Sequence, residues 1–124
     1  MTNTVSSVLL VDDDPNVRGV FELVMNHHNI ELHVVHDAES ALEFLQDHEA
    51  KIVVMDIFLP GMDGYQALKK LRSINSNYEY VVVATTAYYT SDSATTIKDF
   101  GFDGFIPKPI NPRNLISYLE SVLA

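Results

Sequence analysis

The chain has 124 residues, 47% of them apolar and 20% charged, and its 17 acidic and 8 basic side chains leave a net charge of −9. One domain over residues 1–124 fits that length, able to bury about two-thirds of its unfolded surface without outside help. The acidic balance works against direct nucleic-acid binding, which needs basic surface to neutralise phosphates, and the absence of cysteine excludes a disulfide framework or a thiolate metal site.

The first seven residues carry no basic region followed by an apolar one, so they do not read as a signal peptide. No apolar run approaches membrane length. The expectation is a cytoplasmic protein with no membrane contact.

An apolar run, Val8 to Val11, ends in Asp12-Asp13. Asp14-Pro15 then opens a helix, with Asp as N-cap and Pro at the first helical position, and Val17, Val20, Phe21, Val24 and Met25 follow at helical spacing. Ile30 to Val35 alternates and reads as a strand near an edge. Asp37 caps a second helix with Ala38, Ala41, Leu42 and Leu45 as its apolar stripe. Lys51 to Asp56 holds four consecutive apolar residues, too few for a span and without helical spacing, as in a strand buried on both faces.

Leu59-Pro60-Gly61-Met62 predicts a turn, with Gly61 supplying the positive φ of its third position. Tyr65, Leu68 and Leu71 mark a third helix from about Gly64 into Ile74, followed by a loop at Asn75 to Asn77. Val81 to Ala84 is the fourth strand, ending in Thr85-Thr86. Ser91 to Phe100 is a helix rich in Ser and Thr, with Gly101 as its C-terminal cap. Gly104 to Ile106 is a short fifth strand before Pro107-Lys108-Pro109, and Asn111-Pro112 opens a last helix lined by Leu115, Ile116, Leu119 and Val122. Such alternation predicts a doubly wound α/β domain, a five-stranded parallel sheet with helices on both faces.

In a parallel sheet the strand ends of one sense lie along one edge, where open α/β sheets place their ligands. Asp12-Asp13, Asp56, Thr86 and Lys108 therefore converge. Close carboxylates repel by about 4 kcal/mol per pair at an effective dielectric near 20, which a hard divalent cation and Lys108 would offset. Magnesium fits, since it takes oxygen ligands through one or two carboxylates, water and a phosphate. A carboxylate in such a crevice can attack phosphorus and hold the phosphoryl group as an acyl phosphate, a transfer that needs positioning and charge neutralisation above all. With no strong base present to hydrolyse the product, storage of the group is expected more than turnover, and the chain is expected to be no enzyme beyond promoting its own phosphorylation and slow dephosphorylation.

With Asp12-Asp13, Asp56, Thr86-Ala87 and Lys108-Pro109 in order, and Pro60, Gly61, Asp63 and Gly64 after the third strand, the chain resembles the response-regulator receiver domains of two-component signalling over essentially its whole length. The resemblance implies strand order 2-1-3-4-5 and Asp56 as phosphoacceptor. It implies Asp13 as a direct magnesium ligand, Asp12 acting mainly through magnesium-bound water, and the Phe58 carbonyl completing the protein ligands. Thr86 would move toward the phosphoryl group on activation. Phe105 stands at the switch-aromatic position and would turn inward, and Lys108-Pro109 is expected to be cis. The implied partners are a sensor histidine kinase or histidine phosphotransfer protein and a downstream protein target on the face of the fourth helix, fifth strand and fifth helix. The expected assembly is a monomer or a phosphorylation-dependent dimer. The chain ends soon after the fifth helix, which reads as a stand-alone receiver, the alternative being a domain of a larger regulator.

Two bulky side chains, Phe58 and Tyr88, stand two residues after Asp56 and Thr86, where receivers flank the path of attacking water; slow autodephosphorylation is expected. Tyr88 and Tyr89 have partner packing as their alternative. Asp12 to Asp14 exceed what a helix cap needs. Phe105 alone would read as core. Thr85, facing away from Thr86, reads as a plain β-former. The five histidines span a helix end and a strand and form no ligand set. A flavodoxin-type carrier would need a Ser/Thr/Gly-rich loop where Asp12 to Asp14 stand. An aspartate-nucleophile phosphatase would carry Thr or Val at Asn16. The remaining alternative is a phosphate-independent protein-interaction module with a receiver fold.

Overall fold

A computed structural model describes residues 5–59, 61–73 and 80–123. Five strands and five helices alternate: β1 (Ser7–Val11), α1 (Pro15–His27), β2 (Glu31–Val35), α2 (Ala38–Asp47), β3 (Ile52–Asp56), α3 (Gly64–Ser73), β4 (Val81–Thr86), α4 (Ser93–Phe100), β5 (Gly104–Pro107) and α5 (Pro112–Leu123). The strands pair in parallel in the order β2-β1-β3-β4-β5. Both the doubly wound class and the order match expectation. α4 begins two residues later than its sequence predicts, at Ser93 and not Ser91. The end of the third helix at Ile74 and the loop at Asn75 to Asn77 lie outside the described residues, as does Pro60.

Alternation along the strands divides the core. Leu9, Val11, Val53, Met55, Val82 and Ala84 face α2, α3 and α4. Val8, Leu10, Ile52, Val54, Val83 and Ile106 face α1 and α5. Every residue of β3 is buried, because helices cover both of its faces. Polar caps start the helices where predicted: Asp14 accepts from the Asn16 N–H at 2.9 Å, Asp37 from Ser40 at 2.8 Å and Asn111 from Arg113 at 2.9 Å. Gly101 closes α4 with φ +129°, and Gly61 takes φ +82° in the turn after β3. Lys108-Pro109 is cis.

Candidate functional site

The C-terminal ends of β1, β3 and β5 bring Asp12, Asp56 and Lys108 together. Lys108 Nζ lies 3.0 Å from Asp56 Oδ2 and 3.0 Å from Asp12 Oδ2. The first contact is a hydrogen bond. The second is an ion pair without hydrogen-bond geometry, so Asp12 Oδ2 is buried with no hydrogen-bond donor among the described residues. Asp12 Oδ1 accepts the Asp14 N–H at 2.9 Å, and Asp56 Oδ1 accepts the Phe58 N–H at 2.9 Å. Each carboxylate therefore has one oxygen on a backbone N–H and the other on the same ammonium.

Burial, reinforced by the Asp56 charge, pushes the Asp12 carboxyl above the usual carboxylate range against the pull of the Asp14 amide and Lys108. Burial also weakens the Lys108 ammonium, but the hydrogen bond to Asp56 and the close negative charges of Asp12 and Asp56 outweigh it and hold its pKa above that of an ordinary lysine. The charged pairing is self-consistent: each partner is expensive to bury without the other.

Asp13 is exposed on the loop after β1 and stands outside this contact set. No group of three or more His, Asp or Glu side chains among the described residues is arranged to hold a metal ion. The donor set still fits magnesium. Asp12 and Asp56 both offer carboxylate oxygens, and magnesium asks for no more than one or two carboxylates, with oxygen from water and backbone completing its shell.

The paired threonines separate. Thr86 lines a cavity of about 280 Å³ with Ile57, Phe58, Tyr65 and Ile97, on the α4 side of the sheet. Its hydroxyl accepts the Tyr88 N–H at 3.0 Å and donates to the Tyr88 carbonyl at 3.3 Å. Thr85 pairs in register with Asp56; neighbours in register share a face, so Thr85 stands on the side of Asp12 and Asp56. It is fully buried, and Thr85 Oγ1 finds no hydrogen-bond partner among the described residues. Sequence reasoning passed it over as a β-former because the register that aligns it with Asp56 is a tertiary fact.

Aromatic rings surround the mouth. Phe58 and Tyr88, both exposed, meet edge to face with centroids 5.4 Å apart. Phe105 is half-buried, with Tyr89 edge-on at 6.0 Å. Its backbone N–H donates to the Tyr118 hydroxyl at 2.7 Å. Tyr118 has no signature in the sequence; its position on α5 reads only as the flank of an apolar stripe. Behind Asp56, the chain folds back tightly: the Gly64 N–H donates to the Ile57 carbonyl at 2.6 Å, and a Cβ on Gly64 would meet Ile57 Cα at 2.7 Å.

The family model for the response regulator receiver domain matches residues 8–120. The chain belongs to that family, the receiver domains of two-component signalling. It is 34% identical over 119 residues to response regulator Rre1 of Synechocystis sp., covering 95% of this chain but 52% of that protein, so the chain spans about half of that relative. Its fold is that of chemotaxis response regulator CheY4 of Vibrio cholerae (24% identity, TM-score 0.85, covering 96% of this chain and 99% of the other). It is also that of the receiver domain of sensor histidine kinase PA1611 from Pseudomonas aeruginosa PAO1 (23% identity, TM-score 0.83, covering 95% and 97%), whose crystal structure has a magnesium ion coordinated in the active-site cleft. Among the described residues no helix is long and apolar enough to cross a membrane.

Proposed function

We propose that this receiver is a phosphoacceptor switch that takes a phosphoryl group onto Asp56 from a histidine kinase or histidine phosphotransfer protein. The observation that carries this reading is the single ammonium of Lys108 set 3.0 Å from the carboxylates of both Asp56 and Asp12. An Asp56 oxygen attacks phosphorus while the bond from phosphorus to the donor's imidazole nitrogen breaks, its electron pair leaving with the nitrogen. The Phe58 N–H keeps the Asp56 carboxylate oriented. Lys108 follows the negative charge from the carboxylate to the phosphoryl oxygens, so the charge is met throughout by a fixed partner.

Asp13, Asp56 and the Phe58 carbonyl would hold magnesium, with Asp12 acting through its bound water; the ion would supply charge neutralisation for the phosphoryl oxygens. The role of Asp12 draws support from its buried carboxylate, which shares the Lys108 ammonium with Asp56. The magnesium in the PA1611 receiver supports the same assignment by family. Thr86 leaves its bonds to Tyr88 and moves toward the phosphoryl group, and Phe105 turns inward into the space released. The chain acts on itself alone, with slow self-dephosphorylation shielded by Phe58 and Tyr88.

The altered surface is α4, β5 and α5, where an apolar cavity of about 270 Å³ between β5 and α5, lined by Phe105, Pro107, Ile110 and Leu115, accepts a side chain of the protein target. The protein works in the cytoplasm, as a monomer or a phosphorylation-dependent dimer, without nucleic acid.

The test is intact mass against time, with magnesium and a small acyl-phosphate donor, beside Asp56→Asn. A magnesium-dependent phosphoryl adduct on the native chain alone is the expected result. Magnesium binding without any adduct would leave a phosphate-independent interaction module and overturn the proposal.

A further inference from the structure

Three polar groups occupy one row across the sheet. Val11 pairs with Met55, and Asp56 with Thr85, so Asp12, Asp56 and Thr85 stand side by side at the ends of β1, β3 and β4. The residues two back on these strands, Leu10, Val54 and Val83, all belong to the core under α1 and α5. All three polar side chains are buried on that same face, and Thr85 is 0% exposed. Asp56 has one partner on each oxygen, the Phe58 N–H and Lys108. Thr85 Oγ1 has no hydrogen-bond partner among the described residues. A threonine hydroxyl left unbonded in a core is an expensive choice where valine has the same shape, because its water is lost and nothing replaces it.

We propose that Thr85 is a positioning residue of the Asp56 site, whose hydroxyl donates to the acyl carbonyl of phosphorylated Asp56. This rests on the phosphoacceptor reading above. In the resting state, Lys108 holds Asp56 Oδ2 and the hydroxyl stands idle one strand away. Phosphoryl transfer moves the negative charge from the carboxylate to the phosphoryl oxygens, and Lys108 moves with it. The carboxyl oxygen that it leaves is a buried carbonyl with two lone pairs, of which magnesium would take one and the other is open to a donor. Thr85 is the in-register neighbour of Asp56 on β4, on the same face, with a hydroxyl that no other described residue engages. The roles of the adjacent threonines are then divided: Thr86 serves the phosphoryl group from the α4 side and Thr85 the carboxyl from beneath.

Thr85→Val and Thr85→Ser separate this role from a structural one. With a limiting small acyl-phosphate donor and magnesium, intact mass gives the adduct fraction of each, and urea unfolding without donor gives its resting stability. Thr85→Val is expected to be as stable as the native chain or more so, yet to hold roughly two- to tenfold less adduct, the range of one neutral hydrogen bond. Thr85→Ser, which keeps the hydroxyl and loses a methyl, is expected to be less stable but to hold nearly native adduct. A core residue with no part in the site changes stability without moving the two readouts in opposite directions. Native adduct in Thr85→Val, or a Thr85→Ser loss equal to that of Val, overturns the proposal; so does a Val variant clearly less stable than native, since the hydroxyl would then be bonded at rest. Absence of adduct on the native chain is seen before any variant is compared, and it overturns the phosphoacceptor reading itself and this role with it.

Discussion

The backbone N–H of Phe105 donates to the Tyr118 hydroxyl at 2.7 Å, across the open edge of the sheet. β5 ends the strand order, and the Lys108 N–H turns inward to the Thr86 carbonyl at 3.0 Å, so the alternating pattern turns Phe105 and Pro107 outward. Proline has no N–H to offer, and Phe105 has given its own to Tyr118. The outward N–H donors of this edge are thus removed by one hydroxyl and one imino acid, which weakens it as a template for strand addition. Gly104 makes the reach possible, because a Cβ there would lie 2.6 Å from the Tyr118 hydroxyl oxygen.

Tyr118→Phe is expected to speed amide exchange at Phe105 and to lower stability by about 1 kcal/mol, the net worth of one hydrogen bond. Gly104→Ala should be destabilising in the native background and less so beside Tyr118→Phe, where the clashing oxygen is gone. Urea unfolding of the four proteins of this double-mutant cycle measures the coupling. Additive effects would show that hydroxyl and glycine are independent.

Lys108 fixes how stability responds to pH. Its folded pKa stands above the ordinary 10.5, so its contribution is fully present below that pH and fades as pH climbs through the folded value. The raised Asp12 carboxyl has the same sign: its contribution is present below 3.8 and is lost as pH rises through its folded value. Lys108→Met removes the alkaline loss and leaves two buried carboxylates uncompensated. At neutral pH it should cost about 3–5 kcal/mol, and acid should restore part of this by protonating them. Urea unfolding of both proteins in acid, neutral and alkaline buffer, without magnesium, checks the sign; a variant that weakens in acid contradicts it.

Phe58 and Tyr88 meet edge to face at 5.4 Å, and on the phosphoacceptor reading proposed above they would shield the phosphoryl group. Replacing them with Phe58→Asn and Tyr88→Glu gives water a polar path and a group to orient it. The adduct should then decay severalfold faster, followed by intact mass after the donor is removed. Unchanged decay would mean that the rings serve a partner and not the lifetime.

Gly64→Ala tests the fold-back behind Asp56. Its Cβ would lie 2.7 Å from Ile57 Cα and 3.1 Å from the Asp56 carbonyl oxygen, both of them backbone atoms with little room to yield. A loss of about 1–3 kcal/mol is expected, together with slower adduct formation, because the displaced turn carries the Phe58 N–H that orients Asp56. Native stability in urea would show that the turn moves freely.

Much of the site was legible in the chain itself. Apolar runs closing on Asp12, Asp56 and Lys108 placed three charged groups at three strand ends, and local chemistry was enough: Asp14-Pro15, Asp37 and Asn111-Pro112 cap helices with atoms from their own neighbourhood. Buried strands read as unbroken apolar runs for the same local reason. What the sequence could not decide was which face of one strand adjoins which face of the next, because register arises only when distant segments pair. That register set Thr85, not Thr86, beside Asp56, and left its hydroxyl buried without a hydrogen-bond partner among the described residues. Tertiary packing also decided that Lys108 should reach both Asp12 and Asp56 while Asp13 stays in solvent, and that Tyr118, thirteen residues after Phe105, should take up its N–H at the sheet edge. Residue types are local and set the chemistry available; distances between charges and hydroxyls are long-range, and only the packed sheet supplies them.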